Sequence, residues 1–128
     1  MTLHHAPRRR LLAFAAALAG SAALPLYAQS PVWPIKPVKL VVGYAAGGAT
    51  DVLARLVAQK MGDQLGQPVI VDNRAGANSN VGAESVVRAP ADGYTLYVYT
   101  IANTINASLY TKLSYDPAKD FEPIGMIA

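Results

Sequence analysis

The chain of 128 residues contains no cysteine and only two histidines, His4 and His5, both near its start. Without cysteine there are no disulfides, no thiolate chemistry and no lipid-bearing cysteine anchor. Beyond residue 28 there is no histidine either, so the usual general base, the Ser-His and Cys-His pairs and the common zinc ligand sets are missing. Carboxylates and lysines remain, but no closely spaced acidic pair suggests a hydrolase. The expectation is a protein that is not an enzyme, with no cofactor and no metal. Charge is also scarce, at 15% of residues. The formal charge of +3 comes from 11 basic and 8 acidic residues, and Arg8, Arg9 and Arg10 account for the difference. Past residue 28 the formal charge is zero. No Lys/Arg cluster remains there to track phosphates, so nucleic acid is not an expected partner.

The longest apolar run, Leu11 to Leu26, is shorter than the ~20 residues that a membrane span requires. With three arginines before it and Tyr27-Ala28-Gln29 after it, it reads as a signal peptide over residues 1–28. Cleavage is expected after Ala28, with Ala23 as the alternative. Export by the Sec route is expected, and the arginines leave a twin-arginine route open. The expected location is the periplasm, with no membrane anchor.

Beyond this segment the chain repeats a strand–helix pattern. Val38–Tyr44 is rich in β-branched residues and reads as a buried strand. It breaks on Gly47-Gly48 and restarts as a helix from about Asp51 to Leu65, with Thr50 as N-cap and Asp51 complementing the dipole. Leu53, Leu56, Val57, Met61 and Leu65 recur at helical spacing, and Gly66 with Pro68 marks the stop. A second strand (Val69–Val71), a loop (Asn73–Asn80) and a helix to about Arg88 come next. A turn at Ala89–Gly93 precedes a third strand (Tyr94–Thr100) and a helix around Asn103–Tyr110. The last residues, Ile124–Ala128, read as a strand. Such alternation predicts an α/β fold of parallel-sheet βαβ units.

Parallel strands put the loops Ala45–Thr50, Asn73–Asn80 and Thr100–Thr104 on one edge, where open α/β sheets bind ligands. Free amides at helix starts make such an edge an anion site. These loops hold Gly, Asn, Ser and Thr, and Arg74 is their one cation. Plainer readings compete. Gly47 and Gly48 would equally allow close helix–strand packing, and Asn80 reads as an N-cap in preference to a ligand contact. Arg74 reads as a solvated charge, and Trp33 as a packing anchor. A nucleotide- or phosphate-binding α/β enzyme fragment is the alternative function, although neither a Gly-x-Gly-x-x-Gly nor a Walker lysine motif is present.

Several motifs in fixed order carry a resemblance: Trp33-Pro34, Lys39-Leu-Val-Val, Gly47-Gly-Ala-Thr-Asp51, Leu65-Gly-Gln-Pro68, Asn73-Arg74, Asn80-Val-Gly-Ala-Glu84, Asp92-Gly-Tyr-Thr-Leu96, Leu109-Tyr110 and Tyr115-Asp-Pro-x-Lys-Asp-Phe-x-Pro-Ile124. From Trp33 onward the chain resembles the N-terminal portion of the Bug-type receptors, the extracytoplasmic solute-binding subunits of tripartite tricarboxylate transporters. The resemblance implies a type II periplasmic-binding-protein fold, in which residues 29–128 form the first part of domain 1. It implies a small carboxylate ligand (a di- or tricarboxylate, an acidic amino acid or an aromatic acid), the transporter's membrane permease as partner, and a monomer. Tyr44, Ala46, Gly47, Gly48, Ala49, Thr50 and Asp51 would cradle one carboxylate. Asn73, Asn78, Asn80, Thr100 and Asn103 would line the pocket beside it. The family often has proline where Gly43 stands, Gly-Gly where Asn78-Ser79 stand, and proline at Ala107. It also normally continues for another domain and more. A truncated chain is therefore expected to bind weakly or not at all, and a truncated product without function is the third reading. The uncharged run Tyr94–Ile101 would be an aggregation hazard.

Overall fold

A computed structural model describes residues 32–127; the expected signal segment and its cleavage site lie outside them. Within that range the chain forms β1 (Val38–Val42), α1 (Ala49–Leu65), β2 (Val69–Asn73), α2 (Asn80–Val87), β3 (Thr95–Val98) and α3 (Ile101–Leu109). The sheet order is β2-β1-β3, and both pairings are parallel. Val42 at the end of β1 stands level with Asn73 of β2 and Val98 of β3, so the three following loops leave from one edge.

The central strand β1 is the apolar heart of the fold. Val38, Val41 and Val42 are fully buried or nearly so, each stabilising the fold by about 1.5–3 kcal/mol relative to exposure. On one face Leu40 and Val42 pack with Val98 and with Ala54 and Ala58 of α1; Tyr44, Val69, Val71 and Leu96 close the margins. The buried stripe of α1 is Asp51, Ala54 and Ala58, whereas Leu53 and Leu56 are exposed. This corrects the expected stripe. The internally bonded carboxylate of Asp51 belongs on the inner face, and the turns below it carry alanines against the sheet. Helix α1 ends as expected, with Gly66 at φ +67 and its N–H donating to the Gly62 carbonyl at 3.0 Å.

The opposite face is built on two glycines. A Cβ on Gly82 of α2 would lie 2.9 Å from the Cα of Gly43, and one on Gly43 would lie 2.7 Å from the Cβ of Ser79. Close approach at this helix–strand contact therefore depends on Gly43 and Gly82. After α3, Phe121 returns to stack on Tyr97 at 5.6 Å, and it meets Tyr99 and Tyr115 edge-on. The expected strand at Ile124 is not formed: residues 121–127 have no regular secondary structure. A strand requires a hydrogen-bonded neighbour, and the described residues supply none there. Trp33 tilts against Tyr94 at 5.8 Å and remains 45% exposed, a partial anchor.

Candidate functional site

The first loop turns on Gly47, whose φ of +86° lies in the left-handed region that glycine adopts without penalty. Helix α1 begins two residues later, at Ala49. Its N-cap is Gly48, and Thr50 is already inside the first turn, which corrects the expected cap. A side chain on Gly47 would meet nothing within 4 Å, and one on Gly48 would meet only the Ala45 carbonyl at 3.7 Å. Packing therefore does not explain this glycine pair; the space in front of it is open. Residues Ala45–Ala49 are exposed and Thr50 is half-buried. Among the described residues, the N–H groups of Gly48, Ala49 and Thr50 have no protein partner. They point along the helix start, where the dipole favours an anion.

Asp51 holds this loop from below. It is buried, and its Oδ2 accepts the Gly47 N–H at 2.8 Å and Arg55 Nε at 3.0 Å, while Oδ1 accepts Asn73 Nδ2 at 2.9 Å. The hydrogen bond from Arg55, then that from the Gly47 amide and then that from Asn73, lowers the Asp51 pKa from 3.8 to about 2. The carboxylate is thus a resident anion that takes the Gly47 amide and leaves those of Gly48, Ala49 and Thr50. Asn73 Nδ2 also donates to the Tyr44 carbonyl at 3.1 Å, and its Oδ1 accepts Arg55 Nη2 at 3.2 Å. Its polar groups link β2 to the first loop, so it acts as a brace.

The second loop is tied down by asparagines. Ala77, Asn78 and Ser79 have φ of +45°, +52° and +76°, three consecutive left-handed residues without a glycine. Asn78 Nδ2 donates to Asn106 Oδ1 at 2.8 Å, and Asn106 Nδ2 donates to the Asn78 carbonyl at 2.8 Å and Asn80 Oδ1 at 2.7 Å. The Tyr115 hydroxyl donates to the same Asn80 oxygen at 2.7 Å. Asn80 is buried and opens α2, and the cap position belongs to Ser79. This corrects the capping expectation for Asn80, whose side chain bonds Asn106 and Tyr115 instead. Arg74 is exposed and pairs with Asp72 at 2.9 Å.

The third loop meets the first. Thr100 caps α3, and its N–H and hydroxyl both donate to Asn103 Oδ1, at 3.0 and 3.2 Å. The Tyr44 and Thr100 hydroxyls lie 3.1 Å apart. Asn103 is fully buried, with Nδ2 donating to the Tyr97 hydroxyl at 2.9 Å. It therefore supports Thr100 from the interior. Burial pushes the Tyr97 phenol above its usual range. It stays protonated and donates to the Ser79 carbonyl at 3.1 Å.

The structure thus brings together Tyr44, Gly48, Ala49, Thr50 and Thr100 at the carboxyl edge of β1 and β3, with Ala46 on the exposed rim. Asp51 and Asn73 brace the first loop, Asn103 supports Thr100, and Asn78 and Asn80 tie the second loop to Asn106 of α3. Sequence reasoning missed Arg55 and Asn106. The Asp51–Arg55 spacing of four on one helix was a signal for the first; Asn106 carried none.

A family model described as the tripartite tricarboxylate transporter family receptor matches residues 53–128. An Agrobacterium vitis protein from the TAR-I ttuE-ttuC' intergenic region is 44% identical over 115 residues, covering 89% of this chain and 33% of its own length. The solved structure of the periplasmic binding protein BugD superimposes with a TM-score of 0.70 at 42% identity, covering 73% of this chain and 31% of that one. MatC from Rhodopseudomonas palustris, with bound malate, gives 0.68 at 40% identity, covering 71% and 31%. The chain spans about a third of the length of the relatives it matches. The parallel α/β fold is that of periplasmic binding proteins, and the chain belongs to the tripartite tricarboxylate transporter receptor family.

Proposed function

We propose that this chain carries the first carboxylate-holding loop of a periplasmic receptor that delivers a small organic acid to a transporter's membrane permease. The ligand class is a di- or tricarboxylate, an acidic amino acid or an aromatic acid, held without catalysis. The observation that carries the reading is the trio of N–H groups at Gly48, Ala49 and Thr50, without a protein partner among the described residues, at a helix start whose two glycines have open space beside them. Asp51 and Asn73 hold the loop that presents them, and Tyr44 meets Thr100, which Asn103 supports. A carboxylate there gains several hydrogen bonds to main-chain amides without a cationic clamp. That a relative of the same fold holds malate supports an acid of this size.

The test is a titration of the isotopically labelled full chain with malate, followed by amide NMR. The expected result is a saturating shift of the Gly48, Ala49 and Thr50 resonances. Affinity should be weak, because the chain has about a third of its relatives' length. Absence of any shift at these amides for every acid in a carboxylate panel overturns the reading. A shift with a nucleotide and none with the acids would point to the phosphate-binding alternative.

A further inference from the structure

The hydroxyl pair that joins the first and third loops has a fixed direction. Asn103 orients it. The Thr100 main-chain N–H can only donate, so the Asn103 atom facing it is the carbonyl oxygen Oδ1. That oxygen can only accept, so the Thr100 hydroxyl proton, 3.2 Å away, points to it. The Tyr44–Thr100 contact at 3.1 Å then needs a proton from the other side, and Tyr44 is the donor. The opposite end of Asn103 is locked as well, because its Nδ2 donates to a Tyr97 oxygen whose own proton goes to the Ser79 carbonyl. With its proton directed at Thr100, the Tyr44 phenol has only lone pairs left to offer a ligand.

The geometry points to Tyr44 as a specificity-determining acceptor, which selects organic acids bearing a hydroxyl or ammonium group beside the carboxylate over those without one. This rests on the carboxylate reading above and adds the donor requirement. Gly48, Ala49 and Thr50 offer donors, and Tyr44, half-buried at the foot of the same loop with its hydroxyl 3.1 Å from that of Thr100, would offer an acceptor beside them. A ligand with both kinds of group satisfies both surfaces. A plain dicarboxylate leaves the phenol oxygen facing a methylene, and a carboxylate oxygen placed there would be repelled.

Succinate, malate and aspartate test this, since they share a four-carbon dicarboxylate frame and differ at one carbon. The full chain is titrated with each, with the Gly48–Thr50 amides as the readout. Malate, aspartate or both should bind roughly tenfold more tightly than succinate, the ratio that one good neutral or charge-assisted hydrogen bond supplies; which of the two does so tells hydroxyl from ammonium. Tyr44→Phe should bring the ratio close to one. Thr100→Val frees the Tyr44 proton to point outward, and it should narrow the ratio while the phenol remains. Retained dispersion of the amide spectrum shows that each variant is folded, and a variant that unfolds leaves the other to decide. Equal affinity for all three acids overturns the inference and spares the carboxylate reading. A ratio unchanged in both variants also overturns it. No shift with any of the three overturns the inference, and the carboxylate reading falls with it only when the rest of the carboxylate panel is silent too.

Discussion

Asp51 shows how one side chain serves both stability and the site. Its folded pKa of about 2 lies below the ordinary 3.8, so its bonds to Gly47, Arg55 and Asn73 favour the folded state wherever the carboxylate is ionised. That contribution is complete above about pH 4 and is lost as pH falls through the folded value. Acid unfolding followed by circular dichroism should show a loss of stability between pH 4 and pH 2, and Asp51→Asn should flatten that slope. Gly43 and Ser79 form a second residue-scale pair. The family often carries proline at position 43 and Gly-Gly at 78–79, and this chain departs at both places. A side chain at 43 would overlap that of Ser79, so the two departures are physically linked. Gly43→Ala should cost about 1–3 kcal/mol of stability through overpacking. In a Ser79→Gly background the cost should shrink, with a coupling of roughly 0.5–3 kcal/mol by urea unfolding of the double-mutant cycle.

At the scale of elements, α3 acts as a post to which two loops are tied. Thr100 and Asn103 hold its start to Tyr44 and Tyr97, and Asn106 one turn later holds the left-handed segment 77–79. Left-handed conformations cost of order 1–3 kcal/mol each without glycine, so that segment depends on its bonds. Asn106→Ala would leave the buried Asn80 oxygen with Tyr115 alone and free Asn78. The expected loss is about 1–3 kcal/mol. Amide hydrogen exchange should accelerate first at residues 76–80, ahead of the β1–β2 ladder; uniform acceleration would show that the network has no local role. Much of this scale was legible in sequence: three strands, three helices and the Gly66 stop fall where spacing puts them to within a few residues, although the caps at Gly48 and Ser79 lie one or two residues before those expected and the strand at Ile124 is not formed. The buried face of α1 was not, because spacing alone does not weigh an internally bonded carboxylate against leucine.

For the molecule as a whole, β3 is an outer strand of the sheet among the described residues, and α3, which follows it in the chain, carries an apolar stripe. Ile101, Ile105 and Leu109, spaced by four, are all more than half exposed. An unpaired edge and such a stripe both promote association. Ile105→Lys should lower light scattering on incubation while changing stability by less than about 0.5 kcal/mol, as surface substitutions usually do. The near-absence of net charge past residue 28 acts in the same direction, since little repulsion opposes association.

By itself the amino-acid sequence determined the parallel α/β alternation, the edge on which the loops gather and the exclusion of thiol and histidine chemistry beyond residue 28. These follow from composition and from periods of two and 3.6, which are local properties. Only the tertiary structure decided which polar residues face outward. Asn73, Asn80 and Asn103 read like loop ligands in sequence, yet their amides are engaged by groups 22 to 35 residues away or held in the core. The direction of the Tyr44–Thr100 hydrogen bond likewise exists only once β1 and β3 lie side by side. A hydrogen bond's partner is set by position in space, and for an asparagine in a loop no spacing along the chain encodes it.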